Sequence, residues 1–316
     1  MSLDFLKNTI ALAGFLSLVG WNWDAWWHIS VGRDQILAPP HLVQYVAVVA
    51  ILFASALLSY RTKRGAYKTL FFSHILLMLA VIIDVGWHNI IGQEKLISPL
   101  IIWSPPHMLG FLSAFFGFFI ILREWIEEYH AGKNSLVFLR IILVAAVVAS
   151  LLHILIFPLE PIGWHHLINS WGLVFTMAIT VIYLFYLSNA MPKTGVVTLS
   201  MIAVVALFGF EAKEITAGIS LPPHVELPFW IRFIAALSAT TWLDFIEVKK
   251  YHPVLLGGIV GFIAYVIFFI FWDFVKVPIG LPLDKWSIVI ASTLGGIVGG
   301  LFFRLLAKAP LLSHKN

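Results

Sequence analysis

The 316-residue sequence contains no cysteine, and only 11% of it is charged. The first absence excludes a disulfide scaffold and a redox CxxC motif. The second excludes an ordinary soluble globule, which carries about 25% charge, and equally a disordered tail, which needs charge and little hydrophobicity. Basic surplus is small too. A net charge of +4, from 20 Lys and Arg against 16 Asp and Glu, builds no basic domain and argues against a nucleic-acid partner. No phosphate-binding loop or nucleophile triad is found. What the chain has instead is 60% hydrophobic residues, 13 tryptophans and 12 histidines, with a mean hydropathy of +0.95. Histidine is costly in hydrocarbon, so the placement of those twelve is the informative feature.

Crossing about 30 Å of hydrocarbon takes roughly 20 apolar residues as a helix. Ten stretches qualify, near 5–22, 41–60, 69–87, 106–123, 136–157, 168–188, 196–212, 228–247, 254–275 and 287–307. None alternates with period two, which argues against a membrane β-barrel. The expected fold is an all-α, polytopic bundle of about ten transmembrane helices built from repeated helical hairpins, forming a single transmembrane domain over 1–316. Within it, 1–130 holds two hairpins with the clearest motifs, 131–250 two degenerate ones, and 251–316 a final glycine-rich hairpin. Lys7, Arg61, Lys63, Arg64, Lys68, Arg123, Lys133, Lys193, Lys249, Lys250, Arg304, Lys308 and Lys315 all fall on one side of that arrangement. The positive-inside rule makes this side cytoplasmic, with both termini there. The expected location is an integral cell membrane in contact with the lipid bilayer.

His28, His41, His88, His107, His153, His165, His166 and His224 then lie at or beyond the opposite, extracytoplasmic ends of helices, together with most of the carboxylates. The loops there repeat with a period of about 60 residues. One reads Asp24-Ala25-Trp26-Trp27-His28, then Gly32-Arg33-Asp34, then Pro39-Pro40-His41; the next reads Asp84-Val85-Gly86-Trp87-His88, then Gly92-Gln93-Glu94, then Pro105-Pro106-His107. A degenerate third has Glu160 and Gly163-Trp164-His165-His166, and a fourth keeps Pro222-Pro223-His224 with Glu226. The unit is a hairpin whose turn opens on D-x-x-W-H and closes on P-P-H. Proline suits the first turn of a helix, because the N–H it lacks is unpaired there anyway. It therefore fixes where the returning helix starts and where its histidine points.

Residues i and i+4 share one helix face, so the Asp and His of D-x-x-W-H can take one ion together, with the P-P-H histidine as a third ligand. Imidazole and carboxylate without thiolate suit copper, iron or zinc. The simpler alternative is that each Asp hydrogen-bonds its His and caps the helix, while Trp anchors in the interface. Asp34 and Glu94, each six residues after its His, fit acceptors for a ligand imidazole. Glu160, His165, His166, His224 and Glu226 are candidates for a further cluster, in which His165 and His166, about 100° apart on a helix, do not share an ion.

The segment from Trp23 to Leu42, with its D-x3-H-x12-H spacing, resembles the copper-binding segment of the C subunit of the copper membrane monooxygenases, the particulate methane and ammonia monooxygenases. Trp27, Arg33, Asp34 and Pro39 fall in register as well. The resemblance implies copper ligation by Asp24, His28 and His41, and, through the family's second cluster, by Asp84, His88 and His107. It implies a monooxygenase that inserts one oxygen atom of dioxygen into a small substrate, with electrons from a quinol or a partner. Other monooxygenase-type subunits or further copies of the chain are the implied protein partners. Trp26, Trp27, Trp87 and Trp103 would wall a pocket that excludes water. The match is strong over about 20 residues, and 18 residues rather than 12 separate the two histidines of the second cluster. Two rival functions are a copper-handling protein without turnover and a haem-binding, quinol-linked protein; an acid one turn before each His argues against haem.

Three smaller expectations complete the sequence reading. His74, alone in an apolar span, is either a functional group or a neutral imidazole bonded to a carbonyl. Gly257-x3-Gly261, Gly295-x3-Gly299 and Gly296-x3-Gly300 mark close helix packing, within the chain or between subunits. Glu124, Glu127 and Glu128 form a solvated face.

Overall fold

The structure, a computed structural model, describes residues 1–31, 37–92, 103–132, 134–156, 170–204, 234, 237–246, 248–275 and 285–306. Among them there are helices and turns and no strand. The long helices are α1 (Leu3–Ser30), α2 (Pro39–Thr62), α3 (Gly65–Ile91), α4 (Pro105–Gly132), α5 (Ser135–Ile156), α6 (Ser170–Ala190), α7 (Pro253–Val275) and α8 (Lys285–Leu306). Over the described residues α1 to α6 and α8 are long and apolar enough by length and composition to cross a membrane, which fits a lipid environment. Of the expected spans near 196–212 and 228–247, only 196–204, 234 and 237–246 are among the described residues.

The chain divides into two compact units. One comprises Met1–Leu155 with Ala206–Ser220, the other Ile156–Val205 with Leu221–Asn316. In the first, α1 packs on α2, α2 on α3, and α3 on α4. Helices α2 and α4 start at Pro39 and Pro105, so each P-P-H motif opens a helix. The turn from α2 to α3 is tight because Lys63 adopts φ 57° and donates its N–H to the Ser59 carbonyl. Gly92, at φ 88°, ends α3 by donating to the His88 carbonyl. His88 is thereby held in the last turn.

The end of this unit opposite the D-x-x-W-H motifs is tied by charge. Lys7 Nζ lies 2.7 Å from Glu128 Oε1, Arg123 Nε lies 3.1 Å from Glu127 Oε1, and Arg64 pairs with Glu124. The hydrogen bond to Glu124 raises the Arg64 pKa above its ordinary value. Glu124, Glu127 and Glu128 are thus an ion-paired row, with two of the pairs joining α4 to α1 and to the start of α3. The expected solvated face is corrected for two of the three acids, because Lys7 and Arg64, far away in sequence, reach Glu128 and Glu124; Glu127 is exposed and pairs with Arg123 one turn away on the same helix. Arg140, buried on α5, joins the same end by donating to Asn8 Oδ1 at 2.7 Å and Asp4 Oδ1 at 2.7 Å on α1.

In the second unit α8 packs on both α7 and α6. Gly296 and Gly300 face α7, and Gly295 and Gly299 face α6, so these glycine motifs join helices within the chain. Near residue 241 the chain is not α-helical but forms 3-10 turns over Thr241–Asp244 and Val248–Lys250. Asp244 is buried there and accepts hydrogen bonds from Val197 N at 3.1 Å, Thr198 N at 2.8 Å and the Thr198 hydroxyl at 2.6 Å. It caps the helical residues 196–204, whose first N–H groups have no partner within their own helix. Asp244→Ala is expected to cost about 2 kcal/mol, read as a lower melting midpoint in detergent, with Asp244→Asn losing less; an unchanged midpoint in Asp244→Ala would remove the capping role.

Candidate metal centre

Both hairpins of the first unit bring their histidine and aspartate motifs together in the same way. In α1–α2, His41 Nε2 lies 2.8 Å from Asp24 Oδ1. In α3–α4, His107 Nε2 lies 3.3 Å from Asp84 Oδ1, and His88 Nε2, one turn along α3 from that aspartate, lies 3.7 Å from the same oxygen. The His88 and His107 rings are nearly perpendicular, with centroids 6.2 Å apart. One potential ligand atom from each of Asp84, His88 and His107 falls within 4.8 Å of the others. Asp24 is buried, and the side chains of His41, Asp84, His88 and His107 are partly buried.

This geometry fits a metal ion. Nitrogen and oxygen ligands about 2.0–2.2 Å from a tetrahedral ion stand roughly 3–3.5 Å from one another, and Asp84 already stands about that far from both imidazoles. Asp84 is the joint of the triad, since it faces a histidine of its own helix and one of the partner helix. The D-x-x-W-H motif of α1 is helical to Ser30, which puts Asp24 and His28 at i and i+4; the His28 and Trp26 side chains are outside the described residues. Asp34, Glu94, Glu160, His165, His166, His224 and Glu226 also lie outside them.

Several residues beside the two sets carry no motif. Tyr45 follows His41 by one turn of α2, with ring centroids 6.1 Å apart, and its phenol is within electrostatic reach of both Asp24 and Asp84. Phe111, one turn after His107 on α4, has its ring 6.3 Å from the imidazole. It also meets Trp21 of α1 edge to face at 4.5 Å. Trp21 and Phe111 therefore provide aromatic cover next to the clusters. Of the tryptophans expected there, Trp27 lies edge to face with Trp23 at 6.5 Å, and Trp103 donates its indole N–H to the Leu155 carbonyl at 2.9 Å, which anchors α5. Gln44 Nε2 and Ser104 Oγ, three residues after His41 and three before His107, are buried and make no hydrogen bond among the described residues. The signal for Gln44, Tyr45 and Phe111 was present in the sequence, because each stands three or four residues from a motif histidine on a helix.

Along α1 and α2 runs an apolar groove of about 600 Å³, bordered by Leu16, Leu42, Val43 and Val46 among others. Its α2 wall begins at the residue after His41. His74, by contrast, belongs to the packing of α3. Its Nδ1 lies 3.0 Å from the Leu70 carbonyl oxygen of its own helix, and its ring packs edge to face on Phe118 at 5.2 Å.

No protein-family model matches the chain, and neither a curated protein nor a solved structure does.

Proposed function

We propose that the chain is a membrane-bound metal oxidoreductase of the monooxygenase kind, using copper to oxidise a small substrate with dioxygen at the extracytoplasmic membrane face. The observation that carries this reading is the Asp84–His88–His107 triad, two imidazoles gathered on one carboxylate from two helices. The parallel Asp24–His41 contact in the preceding hairpin supports it, as does the resemblance of that segment to the C subunit of the copper membrane monooxygenases. About ten spans in repeated hairpins, with both termini cytoplasmic, complete the proposal, along with a quinol donor and other subunits or copies of the chain as partners.

Bound at these residues, copper would supply the activation of dioxygen, one atom entering the substrate and the other leaving as water with two electrons and two protons from the donor. The protein's share is to hold and to shield. Asp84 neutralises cationic charge and fixes both imidazoles. Trp21 and Phe111 keep the neighbourhood apolar, so charge there is weakly screened. The groove beside His41 gives an apolar substrate a path from the lipid.

Purified protein is expected to bind at least one copper per chain and, given a quinol and a small hydrocarbon or ammonia, to consume oxygen. Copper bound without oxygen uptake, even with partner subunits supplied, would favour the copper-handling alternative; a Soret band would move the assignment to haem. Copper well below one per chain, unchanged in Asp24→Ala and Asp84→Ala, overturns the metal assignment.

A further inference from the structure

Gln44 lies three residues after His41 on α2, and Gly20 lies four residues before Asp24 on α1, so both stand one turn below the Asp24–His41 contact. A Cβ on Gly20 would meet Gln44 Cγ at 2.9 Å and the Pro40 carbonyl oxygen at 3.3 Å. The missing side chain of Gly20 is what lets Gln44 lie across the α1–α2 seam. Its amide Nε2 is buried there and donates to nothing among the described residues. A buried amide donor without an acceptor is destabilising, and a bilayer offers no water to relieve it. Leucine or methionine would fill the same space without that penalty. A seam opened by glycine to seat an amide, one turn below a carboxylate–imidazole pair, points to an acceptor that the described residues do not provide.

We propose that Gln44 Nε2 donates a hydrogen bond to the non-protein ligand of a metal held at Asp24 and His41, the ligand being a small anion or an oxygen ligand such as hydroxide. The proposal rests on the metal reading above. Gln44 is a positioning residue in it. Its N–H orients the outer atom of the ligand, and because that atom is negative the bond is charge-assisted and stronger than a neutral one. Gln44 contributes nothing to holding the metal itself.

Azide is the probe. It is titrated into copper-loaded wild-type, Gln44→Leu and Gln44→Glu proteins, following the part of the azide-to-copper absorption that Asp24→Ala removes. Bound copper is measured in parallel, and the metal-free proteins are melted. In Gln44→Leu copper is retained, the azide Kd rises about tenfold, and the metal-free protein melts higher because an unmade donor has been removed. In Gln44→Glu the Kd rises further, since a carboxylate then faces the anion. An azide Kd unchanged in Gln44→Leu with copper retained overturns the proposal, as does a metal-free Gln44→Leu that melts lower, which would mark the amide as a structural hydrogen bonder. Absence of copper from the wild type, or an azide absorption undiminished in Asp24→Ala, fails the metal assignment at this pair and the proposal with it; the copper measurement and the Asp24→Ala control separate that case from failure of Gln44 alone.

Discussion

Asp84→Ala is expected to lower the copper affinity of the second cluster by more than about 100-fold. Altering an outer partner of a metal ligand already costs 10- to 100-fold, and here the ligand itself is removed. The effect is large because Asp84 is shared: its Oδ1 is the atom that both His88 Nε2, at 3.7 Å, and His107 Nε2, at 3.3 Å, approach. Without it two imidazoles on separate helices remain, and the carboxylate that balances a divalent ion between them is gone. His107→Ala is expected to be comparable, because it takes away the contribution of α4. Asp84→Asn keeps an oxygen donor and loses the charge, so its loss is intermediate. Glu127→Gln, at the other end of the unit, is the control and leaves affinity unchanged. Competition against a chelator of known affinity, with the EPR signal of bound copper, gives the ranking. Asp84→Ala with wild-type affinity would dismiss the triad as a metal site.

The hairpins could be read from sequence because proline acts locally. Pro39-Pro40 and Pro105-Pro106 set the helix starts, and the i to i+4 spacing of Asp84 and His88 set their common face. The pairing of each P-P-H histidine with its aspartate followed from joining those two facts. Features that depend on distant partners were not readable. Asp244 caps backbone groups 46 and 47 residues away, and nothing in its own neighbourhood marks it as a cap rather than part of a span. Glu128 finds Lys7 at a separation of 121 residues, so the acidic row looked solvated. His74 shows a third limit. Its bond to the Leu70 carbonyl is the ordinary fate of a buried neutral imidazole, and the sequence of such a histidine is the same as that of a functional one. Gln44 stands one turn from a motif histidine, but its seating depends on the space left by Gly20 on the neighbouring helix, which spacing alone does not show.

That same use of glycine governs the second unit, where Gly296→Val is expected to be among the most damaging single changes in the chain. At Gly296 a Cβ would fall well inside van der Waals contact with the Gly257 carbonyl oxygen, and a Cβ at Gly257 would do the same to the Gly296 carbonyl oxygen. Gly261 and Ser292, and Gly300 and Pro253, repeat the arrangement along the seam. Both obstacles are backbone, so no rotamer change can make room. Relief requires α7 and α8 to separate along the whole seam, which also breaks the hydrogen bond from Ser292 Oγ to the Gly261 carbonyl at 2.9 Å. Lipid provides no hydrophobic drive to hold helices together, so this packing is most of what joins them. A valine there is expected to cost more than about 3 kcal/mol, at or beyond the upper range for overpacking, and Gly296→Ala somewhat less. Gly65, whose Cβ would meet nothing within 4 Å, is the matched control, and Gly65→Ala should be neutral or stabilising by up to about 1 kcal/mol. The measurement is the yield of monodisperse protein after detergent extraction together with its melting midpoint. A Gly296→Val protein that extracts and melts like the wild type would mean that α7 and α8 are not held by their backbones in this way.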